Sequence, residues 1–213
     1  MATLNLDNSL ASRIVKYMSE KSYKIFTGKG ELNIIYIEGV NWDGTPNNDR
    51  PNEWNDRRIL LTFNNGKPEI IFNVLATTEP GNHYTFNPFN PAKGCARIAF
   101  DQFRAWQVGV HNNSHEALVQ TGGEVKVHRD LNKDFKRTND KTESGWFGIN
   151  QHHGSGMASV GRSSAGCLVG QSVKSHQDFM RLVKSEPRYK IDKQFIFTTT
   201  IIAGDDLAVK FAA

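Results

Sequence analysis

The stretch RRILLTFNNGKPEIIFNVLATTEPG, from Arg57 to Gly81, does most to limit the folds open to this chain. Two runs dense in branched and aromatic residues flank Asn64-Asn65-Gly66, and Asn-Gly supplies the positive φ angles of a tight hairpin, so two antiparallel strands are expected. LNIIYIEGV (Leu32 to Val40), CARIAF, AWQVGVH, EALVQ, EVKVHRD, WFGINQH and the late QFIFTTTIIAG carry the same strand chemistry. A polar loop, NWDGTPNNDRPNEWND, follows Val40. Helical spacing occurs twice. Leu10, Ile14, Val15 and Met18 predict a short amphipathic helix over Asn8 to Ser19, capped by Asp7 or Asn8; SVKSHQDFMRLVK predicts a longer one over Ser172 to Lys184, burying Phe179, Met180, Leu182 and Val183. The expected class is mainly β, a β-rich α+β chain with one or two helices.

At 213 residues, 38% hydrophobic and 10% aromatic, the chain can fill a core, and no composition shift marks a linker. One main domain over residues 31–213 is expected, with an N-terminal helical extension over residues 1–30. Lys and Arg exceed Asp and Glu by 26 to 22, a mild +4 that no basic block concentrates, which suits polyanionic surroundings such as cell-wall polymers without implying nucleic acid. The two cysteines, Cys95 and Cys167, are too few for a disulfide scaffold. MATLNLDNSLASRIVKYMSEKSYK lacks the pattern of a secretory leader and no apolar run approaches a membrane span, so the expectation is cytoplasmic synthesis of a monomer that needs no cofactor.

FGINQHHGSGMASVGRSSAGCLV, Phe147 to Val169, concentrates the chemistry. A thiol becomes an acyl-transfer nucleophile when a base lies in hydrogen-bond reach and backbone N–H groups await the oxyanion. WFGINQH, as a strand, would deliver an imidazole at its end; the turn Gly161 to Gly166 would bring Cys167 beside it; Gly166 permits close backbone approach. Ser163 and Ser164 add hydroxyls, and Arg162 can hold a carboxylate. His152 and His153 stand fifteen and fourteen residues before the thiol, and strand alternation lets only one face it. Cys95, in GCARIAF, has no such company and reads as core.

The order His, Gly, loop, Ser-x-Gly-Cys and an aliphatic residue resembles the L,D-transpeptidase (YkuD-type) catalytic domain, whose signature is His-Gly, a spacer and Ser-His-Gly-Cys. The upstream hairpin with Thr77, Thr78 and Gly81 is similar to that family's opening hairpin and Thr-Gly element, so the likeness spans about Arg57 to Val169. Ala165 replaces the second histidine and Val169 the usual arginine, which removes groups that position the acyl donor and makes FGINQH with SAGC look like a divergent phage and bacterial branch. The resemblance implies an L,D-transpeptidase-like β-sandwich or barrel. It also implies a cysteine-dependent hydrolase of peptidoglycan stem peptides, endolysin-like and active in lysis, with Cys167 as nucleophile. His152 is the favoured base and His153 the second choice, with Gly166 at the oxyanion site; cross-linking is the alternative reaction.

Other constellations carry less. HNNSH places His111 and His115 four apart, the basis of a rival zinc-peptidase reading, although no Glu lies between them and a cleft-lining role is open to both. DLNKDFKRTND, Asp130 to Asp140, only partly echoes a calcium loop, since Phe135 stands where such loops want Gly, and a solvated turn is expected. Arg129, at a strand end, can grip stem-peptide carboxylates. A non-catalytic wall-binding module is the remaining rival.

Overall fold

In a computed structural model the structure describes residues 4–210, so the outermost three residues of the expected 1–30 and 31–213 spans lie outside it. Strands β1 (Asn33–Glu38), β2 (Asp56–Asn64), β3 (Lys67–Thr77), β5 (Gln102–His111), β6 (His115–Gln120), β9 (Gln151–His153), β10 (Leu168–Gly170) and β11 (Phe197–Ala203) pair in the order β1-β11-β5-β6-β9-β10-β3-β2, and β2 pairs back onto β1. The Asn65-Gly66 turn, with φ of 49° and 80°, joins β2 to β3 as expected. A separate three-stranded sheet contains β4 (Cys95–Ile98), β7 (Val125–Asp130) and β8 (Lys141–Gly145).

The expected L,D-transpeptidase-like β-sandwich or barrel with one or two helices is corrected. The described residues form a mixed α+β fold with five helices: α1 (Leu10–Glu20), α2 (Asn82–Phe86), α3 (Val173–Ser185), α4 (Pro187–Ile191) and α5 (Gly204–Lys210). Nor is the strand ring an even barrel wall. β9 and β10 have three residues each, and β6 meets β9 through one registered pair, Leu118 with Gln151. WFGINQH becomes strand only from Gln151, because Gly148 takes a φ of 70° and Asn150 spends its side chain on Gln120 and His111.

Two large apolar clusters, with a small third at Trp54, Val160 and Val169, fill the described residues. One, inside the ring and under α3, includes Tyr36, Leu60, Trp106, Leu118, Leu168, Phe179 and Val183. The other packs the buried face of α1 on the far side of β1 and β2, through Ile14, Val15 and Met18 against Ile35, Ile37, Ile59 and Leu61. The α1 cap is Ser9, whose Oγ accepts from the Ser12 N–H at 3.3 Å, instead of Asp7 or Asn8. Cys95 is buried, in line with its reading as core.

Arg58, on β2, is fully buried, and all its hydrogen-bond partners among the described residues are neutral. Its Nε donates to Tyr36 Oη, its Nη2 to the carbonyls of His152 (2.8 Å) and Leu168 (3.0 Å), and its Nη1 to His176 Nδ1 (3.0 Å). The guanidinium also lies 4.5 Å from the ring centre of Phe179. One side chain thus ties β1, β9, β10 and α3 to β2. Deleting it strands two buried carbonyls and a ring nitrogen, so Arg58→Ala is expected to lose more than about 3 kcal/mol in urea unfolding, and Arg58→Lys, which cannot span the fork, to recover less than half of that.

Candidate active site

Strand register decides what faces what. β9 and β10 run parallel with Gln151 beside Leu168 and His152 beside Val169, and the Leu168 N–H donates to the Asn150 carbonyl at 2.9 Å. Gln151 and Leu168 point into the ring, where Gln151 Nε2 donates to Thr199 Oγ1 at 2.8 Å and Leu168 joins the main core. By alternation Asn150, His152, Cys167 and Val169 all face outward. There Val169 packs with Trp54, Val160 and Cys167, while His152 and Cys167 line a cleft of about 820 Å³.

The loop carrying Cys167 is built from within. Gly166 has a φ of 120°, and a Cβ placed on it would come 2.4 Å from the carbonyl oxygen of Ala96, so only glycine fits. Its N–H donates to Ser164 Oγ at 3.1 Å, and that hydroxyl donates to the Cys167 carbonyl at 2.9 Å. Ser164 is therefore a buried brace, and the Gly166 N–H is spent in the turn instead of facing an oxyanion. The TTEPG element closes the other side: the Gly81 N–H donates to the Ser164 carbonyl at 2.9 Å.

Cys167 is half-buried. The Asn150 N–H points at its Sγ from 3.4 Å, and the thiol approaches the Gly148 carbonyl at 3.5 Å. Among the described residues no imidazole hydrogen-bonds to it. Protein packed around the sulfur pushes the thiol up to about 11, against the opposing pull of the Asn150 N–H. His152 is buried at 6% exposure, and its Nδ1 donates to the His153 carbonyl at 2.9 Å, which leaves Nε2 as the lone-pair nitrogen. Burial first, then the neighbouring His111, lowers it to about 3. Thiol and imidazole are both neutral at rest.

Most of the remaining predicted residues, His153, Arg162, Ser163, His111 and His115, line the same cleft, and Arg129 does not. His153 lines the cleft and stacks on His115, with centroids 4.0 Å apart. Arg162 is exposed on the cleft wall, and Ser163 Oγ reaches the Gly154 carbonyl at 3.4 Å. Arg129 is committed to Glu143 and lies over Phe147, lining an adjoining cavity of about 220 Å³ instead of the cysteine cleft. His111 and His115 pair across the β5–β6 hairpin instead of along a helix; among the described residues no three histidines bring ligand atoms within 4.8 Å of one another. Asp130 takes the N–H groups of Asp134 and Phe135, which makes its loop a self-bonded turn.

Sequence reasoning missed Asn150, the aromatic residues Tyr84, Phe89 and Phe147 on the cleft wall, and His176. His176 sits on the buried face of α3, its Nε2 donating to the Glu116 carbonyl at 2.9 Å and its ring held at about 2 by burial and Arg58. A histidine at the i−3 position to Phe179 was the available signal. No family model, curated protein or solved structure matches this chain.

Two outcomes follow from the neutral groups. A thiol raised from 9.0 to about 11 holds about a hundredfold less thiolate near neutrality, so iodoacetamide should label Cys167 about a hundredfold more slowly than a free cysteine, with the rate climbing as pH approaches 11. His152 and His176 have folded values depressed to about 3 and about 2 from 6.5, so the unfolded chain takes up protons first, and stability present above pH 6.5 is lost on acidification at up to about 1.4 kcal/mol per pH unit for each. Urea midpoints measured from pH 7 down to 4 should fall less steeply for His176→Gln than for the parent.

Proposed function

We propose that this protein is a cysteine-dependent hydrolase of peptidoglycan stem peptides, with Cys167 as nucleophile and His152 as base. The observation that carries the reading is the register of β9 with β10, which puts His152 and, one residue before β10, Cys167 in the lining of one cleft of about 820 Å³. Cys167 Sγ attacks the amide carbonyl carbon as its proton passes to His152 Nε2. The C–N bond then breaks, and the imidazolium returns that proton to the leaving amine. Water, deprotonated by the same nitrogen, attacks the thioester and releases the acid and the free thiol. Because both groups are neutral at rest, proton transfer accompanies attack instead of preceding it, and a hydrogen bond between them forms only with substrate in place.

The tautomer supports the role, since a base must present an unprotonated nitrogen. The oxyanion is assigned to the Asn150 N–H, which already points at the sulfur, and to the Cys167 N–H; Gly166 serves as the turn that places them. Arg162 supplies a cation for substrate carboxylates on the wall, and Tyr84 and Phe89 an aromatic rim. The stem-peptide assignment rests on the resemblance of the His-Gly and Ser-x-Gly-Cys elements, and release by lysis would bring the protein to the wall.

Purified sacculi incubated with the parent, Cys167→Ala and His152→Ala should yield shortened stem peptides with the parent alone, read by mass spectrometry, with each variant down at least about a hundredfold. Cross-linked dimers instead of shortened peptides would replace hydrolysis by transpeptidation. Activity that survives Cys167→Ala but not chelation would overturn the cysteine reading.

A further inference from the structure

The histidines gather where the strand ring is thinnest. Beyond the single Leu118–Gln151 pair, side chains take over the contact between the β5–β6 hairpin and β9. His111 lies flat on His152, with centroids 4.1 Å apart and planes 9° from parallel, and His115 covers His153 at 4.0 Å and 29°.

His111 is itself oriented. Asn150 Oδ1 accepts from the Gln120 N–H at 2.9 Å, so Asn150 Nδ2 donates to His111 Nδ1 at 3.0 Å, and the side-chain amide of Asn112 meets Nε2 at 3.0 Å from the other side of the ring. The chain from Gln120 through Asn150 to His111 therefore ends in a flat ring pressed on the proposed base. The hydrogen bond from His152 Nδ1 selects its tautomer, and the stacked neighbour sets the plane in which the ring lies.

We propose that His111 is a positioning residue for His152, holding the plane of that ring so that Nε2 stays directed into the cleft. The proposal rests on the Cys167–His152 reading. The groups facing His152 are His111 from β5, His115 from β6, Arg58 from β2, the adjoining His153 and Cys167 from the loop before β10; His176 of α3 faces His115, His153 and Arg58. All the neighbouring imidazoles are held neutral by burial, so the stack carries no charge until one ring is protonated.

Long-range ¹H–¹⁵N spectra of the histidine side chains in the full chain test this. His111→Phe keeps a flat ring on His152 and should retain its single Nδ1–H tautomer. His111→Ala removes the ring and should give averaged tautomer signals, with the His152 titration midpoint raised by about one unit or more. On stem peptides, His111→Ala should lower kcat about tenfold at unchanged KM, and His111→Phe should restore most of it. A His111→Ala protein with the parental tautomer and midpoint, or a His111→Phe protein as disturbed as the alanine variant, would overturn the proposal. If the alanine variant does not fold, His111→Leu takes its place. A parent that hydrolyses no stem peptide would remove the proposed function while the spectra still decide the positioning role.

Discussion

A guanidinium with no carboxylate at its side holds this molecule together at its functional end. Arg58 is sealed from solvent, and its charge is met only by carbonyl dipoles, a phenol oxygen, an imidazole lone pair and the face of Phe179. Burying an ion is costly unless every donor is satisfied, and here four directed bonds from one fork offset that cost while fixing four chain segments relative to each other. Two of those bonds end on the carbonyls of His152 and Leu168, the strands on either side of the cysteine loop. Burial is what chiefly holds down proton uptake on His152 and His176, and the Arg58 charge adds to it.

A second buried polar layer anchors the opposite wall. Arg137 grips Glu38 through both terminal nitrogens, at 2.5 and 2.6 Å, Arg97 pairs with Glu79, and Asp56 receives the N–H groups of Gly39 and Thr78. Burial, then the neighbouring Glu38, pushes the Asp56 carboxyl well above the usual carboxylate range. From this layer TTEPG runs out to Gly81, whose backbone meets the Ser164 carbonyl. A Cβ on Gly81 would lie 2.2 Å from the Gly161 oxygen, so the two backbones touch and the cysteine loop is held between Arg58 on one side and the acid layer on the other.

The resulting site differs in kind from a preformed thiolate–imidazolium pair. The thiol pushed up to about 11 and the imidazole lowered to about 3 both stay uncharged, because packing withholds the water that would stabilise either ion. The geometry there depends on side chains, since β9 meets the β5–β6 hairpin through one backbone pair and through rings stacked on one another.

Local chemistry made much of the scaffold legible: the Asn65-Gly66 hairpin, α1, α3 to within a residue at each end, and most of the longer strands follow from periodicity and turn residues that act over a few positions. It also marked Cys167, Gly166 and the tandem histidines as belonging together, while Gly81 entered only through the family resemblance. The expected barrel or sandwich with one or two helices was overturned because α2, α4 and α5 are five to seven residues long, too short for periodicity to register, and β9 and β10 are three. What no reading of adjacent residues could supply is the use of each polar group. Ser164 and the Gly166 N–H are consumed by the turn, Arg129 by Glu143, and Nε2 of His152 keeps its lone pair because Nδ1 found a carbonyl. The sequence by itself determined which residue types could meet at the site; tertiary structure decided which of them remain free to react, because hydrogen-bond partners and burial are set by neighbours that the fold recruits from as far as Arg58 and His176.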